Sequence, residues 1–379
     1  MSNNKALPVA VAAQLTVHRF TYLTPRPYAP PVLAWGEPGV GKTAVITAIG
    51  DALNVPVEVV IASIREPSDF GGLPVVGEGG VRLHAPAWAQ RLAAAQQGIL
   101  FLDEISTAPP AVQAALLRVV LDRVVGELEL PAGVAVVAAA NPPEIAAGGW
   151  ELSPPLANRF VHLQWKVDAA DWCEGMVKGF STPSIPQINE TAFPAAYERA
   201  RALVAAFIRR RPTLLCAVPK TEEAQGRAWP SPRSWHAAAT LMAAAEAAGA
   251  DGEVVSALVA GCVGEAAALE FLQFRRELDL PDPQQVMGNP DLLKGLTGDR
   301  MHAALTAVVA HATAELTPEK WAAAWRVLAH AAKIAGKDVA AWCACILARA
   351  HKPDLPVPSE VEEFCPLLEA AGLLGGGGK

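Results

Sequence analysis

"LAWGEPGVGKTAVITAI", residues 33–49, sets a glycine-rich turn between an apolar run and a segment with helical periodicity. Within it, Gly36-Glu37-Pro38-Gly39-Val40-Gly41-Lys42-Thr43 fits the pattern G-x-x-x-x-G-K-[ST]. Each residue type has a physical reason. Glycines let the backbone curl with its N–H groups inward, making an anion nest at the positive end of a helix. Lys42 would set a cation on the β- and γ-phosphates of a nucleotide, and the Thr43 hydroxyl would ligate Mg2+. A turn that needed only glycines at positive φ has no use for Lys-Thr after the last of them.

Working outward, Val32–Trp35 reads as a strand and Lys42–Leu53 as a helix, with Val45, Ile46, Ile49 and Leu53 on one face. Further strand-length apolar runs lie at Val57–Ile61, Ile99–Leu102, Val134–Ala140 and Phe160–Trp165. Helical patterns at 86–97 and 110–121 separate them, the second opening on Pro109 and Pro110. This alternation of near-continuous apolar strands with helices predicts an α/β P-loop fold, a parallel αβα sandwich. After residue 165 the strands vanish, and alanine-rich helical stretches follow at 192–211, 234–248, 253–274, 301–315, 318–334 and 339–348.

"GILFLDEIS", residues 98–106, supplies a second half for the phosphate loop. A buried strand ends in two acids, at the sheet edge where ligands of open α/β sheets bind. Asp103 would hold Mg2+, largely through water, and Glu104 would act as general base or positioner for an attacking water. In "GVAVVAAANPPE" the amide of Asn141 stands at the tip of another strand. There it could hydrogen-bond both the γ-phosphate and the lytic water, or simply initiate a turn before Pro-Pro.

Composition bounds the partners. With 52% hydrophobic and 18% charged residues the chain can bury a large core, and a net charge of −7 argues against a general nucleic-acid binder. The N-terminus lacks the pattern of a secretory signal, and no apolar stretch approaches the roughly 20 residues of a membrane span. Six cysteines without zinc-like spacing read as reduced thiols. A cytoplasmic protein is expected.

The motifs "GEPGVGKT", "REPSDFGGLP", "GILFLDEISTAPPAVQAALLRVV", "AAANPPE", "SPPLANRF" and "WPSPRSW" together resemble the MoxR family of AAA+ ATPases, over roughly residues 30–260. "STAPPAVQAALL", after the acidic pair, is the most specific of them. The resemblance implies ATP and Mg2+ at sites between subunits of a ring, usually a homohexamer. It implies a chaperone-like role on a protein client, of the kind that carries a von Willebrand factor A domain. Arg159, in "LANRF", matches the arginine finger that reaches a neighbour's γ-phosphate. Arg233, in "SPRSW", matches the sensor 2 arginine of a helical lid, contacting phosphate in its own subunit. Read from the residues alone, Arg159 could instead form a salt bridge at a strand start, and Arg233 could cap or solvate a helix.

On that frame the chain divides into an N-terminal segment (1–30) and an AAA+ core (31–166) with hairpin insertions near 66–83 and 122–131. A helical lid (167–280), a C-terminal helical extension (281–370) and a flexible tail (371–379) follow. The first hairpin has its glycine turn near Glu78–Gly80, and either hairpin could grip a substrate or pack between subunits. Glu66, Asp69, Glu78, Glu127 and Glu129 outnumber Arg82 and Arg123 there, which counts against the rival reading of a nucleic-acid motor or loader. A second rival, a scaffold with incidental turnover, is disfavoured by the presence of both Asp103 and Glu104. His84, His162 and His236 read as packing or surface residues, and Trp150, Trp165, Trp172, Trp229 and Trp235 as aromatic burial between the sheet and helical parts.

Overall fold

A computed structural model describes residues 3–77, 80–142, 150–278, 280–296, 298–314, 316–353 and 355–373. Among these the strands are, in chain order, β1 (Val32–Trp35), β2 (Val57–Ile61), β3 (Leu73–Gly77), β4 (Gly80–His84), β5 (Gln97–Asp103), β6 (Val124–Val125), β7 (Leu128–Glu129), β8 (Gly133–Ala140) and β9 (Val161–Gln164). Five make one sheet in the order β2-β5-β8-β1-β9, every pair parallel. All four residues of β1 are buried, as are Ile99–Leu102 of β5 and Val134–Ala140 of β8. That double-sided burial is why the strands read as unbroken apolar runs.

Alternate residues serve opposite faces. Leu33, Trp35, Leu100, Leu102, Val136 and Ala138 pack with Leu92, Val112, Leu116 and Val119 from the helices Ala87–Ala95 and Pro110–Asp122. The helix Ala6–Thr16 packs on β8 and β1, and the helix Lys42–Leu53 on β5 and β2. The chain runs from β1 to the far edge at β2, returns strand by strand to β8, then passes over β1 to β9. A ligand crevice therefore opens above β1, where the direction of winding reverses.

By contacts the chain falls into two compact units, Met1–Phe193 with Thr213–Leu269, and Pro194–Pro212 with Glu270–Lys379. These boundaries cut the chain differently from the linear series above, because residues 194–212 cluster with the C-terminal helices. The second unit is all helical among its described residues. Trp321 and Trp325 are buried edge to face at 5.8 Å in a core shared with Leu305, Val308, Leu347 and Phe364.

Three local features differ from the sequence reading. The stretch at 253–274 is two helices, Gly252–Val263 and Glu265–Leu278. The break is Gly264 at φ +83°, where a Cβ would meet the Ala228 carbonyl at 2.8 Å. Trp150 and Trp172 are about half exposed, so they do not join Trp235 in burial. The N-terminal segment carries a buried helix, Ala6–Thr16, apolar on all sides and hence without the stripe that marks a surface helix. The two hairpins form as expected, β3 with β4 and β6 with β7, while Glu78 and Gly79 of the first turn lie outside the described residues, as do Pro143, Glu144 and 374–379. The six cysteines are unpaired, and no described helix is long and apolar enough to cross a membrane.

Gln14 fastens the N-terminal helix to the sheet. Its Nε2 donates to the Val136 carbonyl at 3.1 Å and its Oε1 accepts from the Val136 N–H at 2.8 Å, both buried. Val136 stands one residue before the level at which β1 begins pairing with β8, so the side chain completes the ladder there. Gln14→Ala orphans two buried backbone groups, and should cost about 2 kcal/mol or more. A lower urea midpoint than wild type checks this, and an unchanged midpoint contradicts it.

Candidate functional site

The phosphate loop turns from the C-terminal end of β1 into the helix Lys42–Leu53. Gly39 and Gly41 both sit at φ +80°, a conformation that an L side chain strains to adopt. Gly36 is required by space, since a Cβ there would lie 2.9 Å from the Trp165 carbonyl oxygen. Trp165 holds the loop from two directions. Its backbone N–H donates to the Trp35 carbonyl at 2.6 Å, and its indole Nε1 donates to the Val40 carbonyl at 3.0 Å.

Lys42 folds back over this loop. Its Nζ donates to the carbonyls of Gly36 (2.7 Å) and Glu37 (2.9 Å) and to Asn141 Oδ1 (2.9 Å). Partial burial lowers the pKa of the ammonium, and the carboxylates of Asp103 and Glu104 oppose that shift. Asn141 presents its carbonyl oxygen to Lys42. Ser106 fixes the backbone of Asn141, its Oγ accepting from the Asn141 N–H at 3.3 Å.

Thr43 Oγ1 donates to Asp103 Oδ2 at 2.9 Å. A hydroxyl and a carboxylate side by side are the hard oxygen donors that Mg2+ takes, with phosphates and water completing its octahedron. Among the described residues no cluster of three or more His, Cys, Asp or Glu side chains could hold a metal alone. Glu104 has its backbone at φ 55°, ψ 38°. The other described non-glycine residues at positive φ, Asn54, Gln96 and Arg123, end helices, where this conformation is routine. Glu104 ends none, so its strain of about 1 kcal/mol or more belongs to the site. Its Oε2 accepts from Ser63 Oγ at 2.5 Å. Ser63 follows β2, the strand beside β5, and sequence pattern alone does not say that these strands are neighbours.

Arg159 and Arg233 stand elsewhere. Val161 of β9 pairs with Val32, three strand steps (about 10 Å) short of the end of β1 where the loop begins. Arg159 precedes Val161, so it lies at the N-terminal edge of the sheet, away from its own Lys42. Its guanidinium donates to the Pro155 carbonyl, and its Nε is buried without a partner. Burial lowers its proton affinity first, and the charge of Arg233 next. Tyr28, four residues before β1, feels both arginines. Asn158 explains the meeting: its amide donates to the Trp229 carbonyl at 3.0 Å and accepts from Ser231 Oγ at 2.7 Å. Ser231 caps the helix Pro232–Ala247, whose first turn carries the exposed Arg233. Asn158 thus ties the start of the helix that carries Arg233 to the residue before Arg159.

The arginine that does reach the β1 end is Arg227, its Cζ 3.8 Å from the ring centroid of Trp35, the residue before Gly36. No motif marks it. Beneath it Trp35 Nε1 donates to His162 Nδ1 at 2.9 Å, so His162 carries its proton on Nε2 and donates to the Ala157 carbonyl at 2.8 Å.

Residues 31–160 match the family model for the AAA domain of the dynein-related subfamily. Among solved structures, a proposed ATPase from Cytophaga hutchinsonii is 15% identical, with 72% of this chain and 88% of that one covered at a TM-score of 0.46. NtrX from Brucella abortus is 19% identical, with 68% and 49% covered at a TM-score of 0.26. No curated protein matches. The parallel sheet, the loop at its switch point and the match over 31–160 identify an α/β P-loop AAA+ fold with a helical extension.

Burial pushes the His162 imidazole down to about 4 from its ordinary 6.5, against the pull of its bond to Ala157. An unfolded chain takes up this proton near pH 6.5 and the folded one only near 4, so the associated stability is complete above 6.5. It should fall as pH drops through that window, by roughly 3 kcal/mol in all. Urea midpoints at pH 7.5 and 4.5 should therefore differ more in wild type than in His162→Gln; equal slopes contradict the assignment.

Proposed function

We propose that this chain is a MoxR-like AAA+ ATPase of the cytoplasm, which hydrolyses ATP with Mg2+ at sites completed between copies in a ring, six in number by resemblance. It would use that cycle to remodel or assemble a protein partner. The observation that carries the reading is the division of the machinery. Lys42, Thr43, Asp103, Glu104 and Asn141 share one sheet edge, while Arg159 and Arg233 share the other. Arg159 and Arg233 of a chain so built would meet phosphates only on a second copy.

Backbone N–H groups of Gly39–Thr43 would cradle the β-phosphate, and Lys42 would exchange the Gly36, Glu37 and Asn141 oxygens for phosphate oxygens. Thr43 and Asp103 would hold Mg2+, which neutralises charge on the triphosphate when bound. Asn141 would orient the attacking water, and Glu104 would take its proton through the oxygen not engaged by Ser63. Arg159 and Arg233 of the adjoining copy would stabilise charge on the transferring phosphoryl. Loss of these shared contacts on hydrolysis releases one copy from the next, a route to domain motion. The exposed Val75, Val76 and Val81 of the β3–β4 hairpin suit an apolar stretch of polypeptide better than a phosphodiester backbone. A client bearing a von Willebrand factor A domain follows from resemblance alone.

Glu104→Gln should keep ATP binding and lower turnover roughly 100-fold or more. A rate equal to wild type would remove Glu104 from the chemistry. Lys42→Ala and Arg159→Ala should each fall about 1,000-fold alone. Mixed, they should regain measurable turnover, because a Lys42→Ala copy can lend its arginine to an intact phosphate loop. Two inactive variants whose mixture stays inactive would refute sites shared between copies.

A further inference from the structure

Three successive arginines, Arg209, Arg210 and Arg211, stand at the end of the helix Phe193–Arg210. Arg211 pairs with Glu270 at 2.9 Å. Arg209 and Arg210 instead line a cavity of about 300 Å³. Ala206 of the same helix, Gly298 and His302 of the helix Gly298–Ala314, and Val339 of the helix Lys337–Arg349 complete its walls. All of these residues belong to the second unit. The volume is at the lower end of those that enclose a small ligand.

Arg209 is held in place without a carboxylate. Its Cζ lies 3.7 Å from the ring centroid of Trp342, a stacking distance for a guanidinium on an indole. Its Nη1 donates to Nε2 of His302. A guanidinium only donates, so this imidazole is neutral and carries its proton on Nδ1, 3.5 Å from the Val339 carbonyl oxygen. Among the described residues no acid is bonded to Arg209. Trp342 and His302 thus order a long side chain before any ligand arrives, which lowers the entropy that binding would cost.

We infer that this cavity binds a phosphate group. Successive residues leave a helix about 100° apart, so Arg209 and Arg210 come to a shared ligand from different directions. A tetrahedral anion accepts from two forks so placed, whereas a planar carboxylate takes one fork in its own plane. Two guanidinium charges also balance the roughly two negative charges of a phosphate monoester at neutral pH. Ala206 and Val339 give the cavity an apolar side for the carbon that bears the phosphate. None of these residues belongs to the phosphate loop, so the site goes beyond the ATPase reading.

Calorimetric titration of the full chain tests this with inorganic phosphate, O-phosphoserine and acetate. The chain carries Lys42→Ala, so that the phosphate loop does not compete. Both phosphate probes should bind with a Kd of about 1 mM or tighter, and acetate roughly 10-fold or more weakly. Arg209→Gln should weaken the phosphate probes about 10-fold. Trp342→Leu, which removes the platform under Arg209, should weaken them about 3-fold. Arg211→Gln removes the same charge from the same turn and should leave them unchanged, because Arg211 is already paired. Tighter binding of O-phosphoserine than of inorganic phosphate identifies a phosphorylated side chain or metabolite as the occupant, and the reverse order identifies the free ion. No saturation by either phosphate probe, acetate binding as tightly, or affinity that Arg209→Gln and Arg211→Gln change alike overturns the site.

Discussion

The parallel register of β1 with β8 and β9 is the constraint from which the site follows. In a parallel sheet every strand presents its C-terminal end on the same side, so whatever the chain places after β1, β5 and β8 must meet there. Lys42 and Thr43 follow β1, Asp103 ends β5, and Asn141 follows β8. Hydrogen bonds of 2.9 Å from Lys42 to Asn141 and from Thr43 to Asp103 then need no further machinery than adjacent strands. The order β5-β8-β1 is thus as much a part of the site as any side chain.

The same rule puts Arg159 out of reach. It precedes β9, and residues that precede a parallel strand belong to the opposite edge. Asn158, held between Trp229 and Ser231, draws the start of the helix Pro232–Ala247 to that edge as well. The charge of Arg233 is felt at Arg159, lowering its proton affinity after burial has done so, while Tyr28 and Asp122 oppose the shift.

Much of this could be read from the residues because the core is a matter of local pattern. Buried parallel strands are apolar runs, and Gly41 at positive φ followed by a periodic helix marks the loop on sight. What escaped depends on tertiary neighbours. The helix Ala6–Thr16 has no polar face to betray it. Gly264 breaks a helix at φ +83°, and the Ala228 carbonyl leaves no room for a Cβ there. Ser63 acquires a role only once β2 lies beside β5. A motif around Arg233 names a helix start, yet the edge at which that helix begins is decided by Asn158, seventy-odd residues earlier.

Glu104 shows how the two levels combine. The left-handed backbone turns its carboxylate away from the strand direction at a cost that regular structure avoids. Ser63 then engages one carboxylate oxygen and leaves the other. Strain in the backbone and restraint of the side chain thus act together, fixing the direction of a carboxylate at the end of a buried strand.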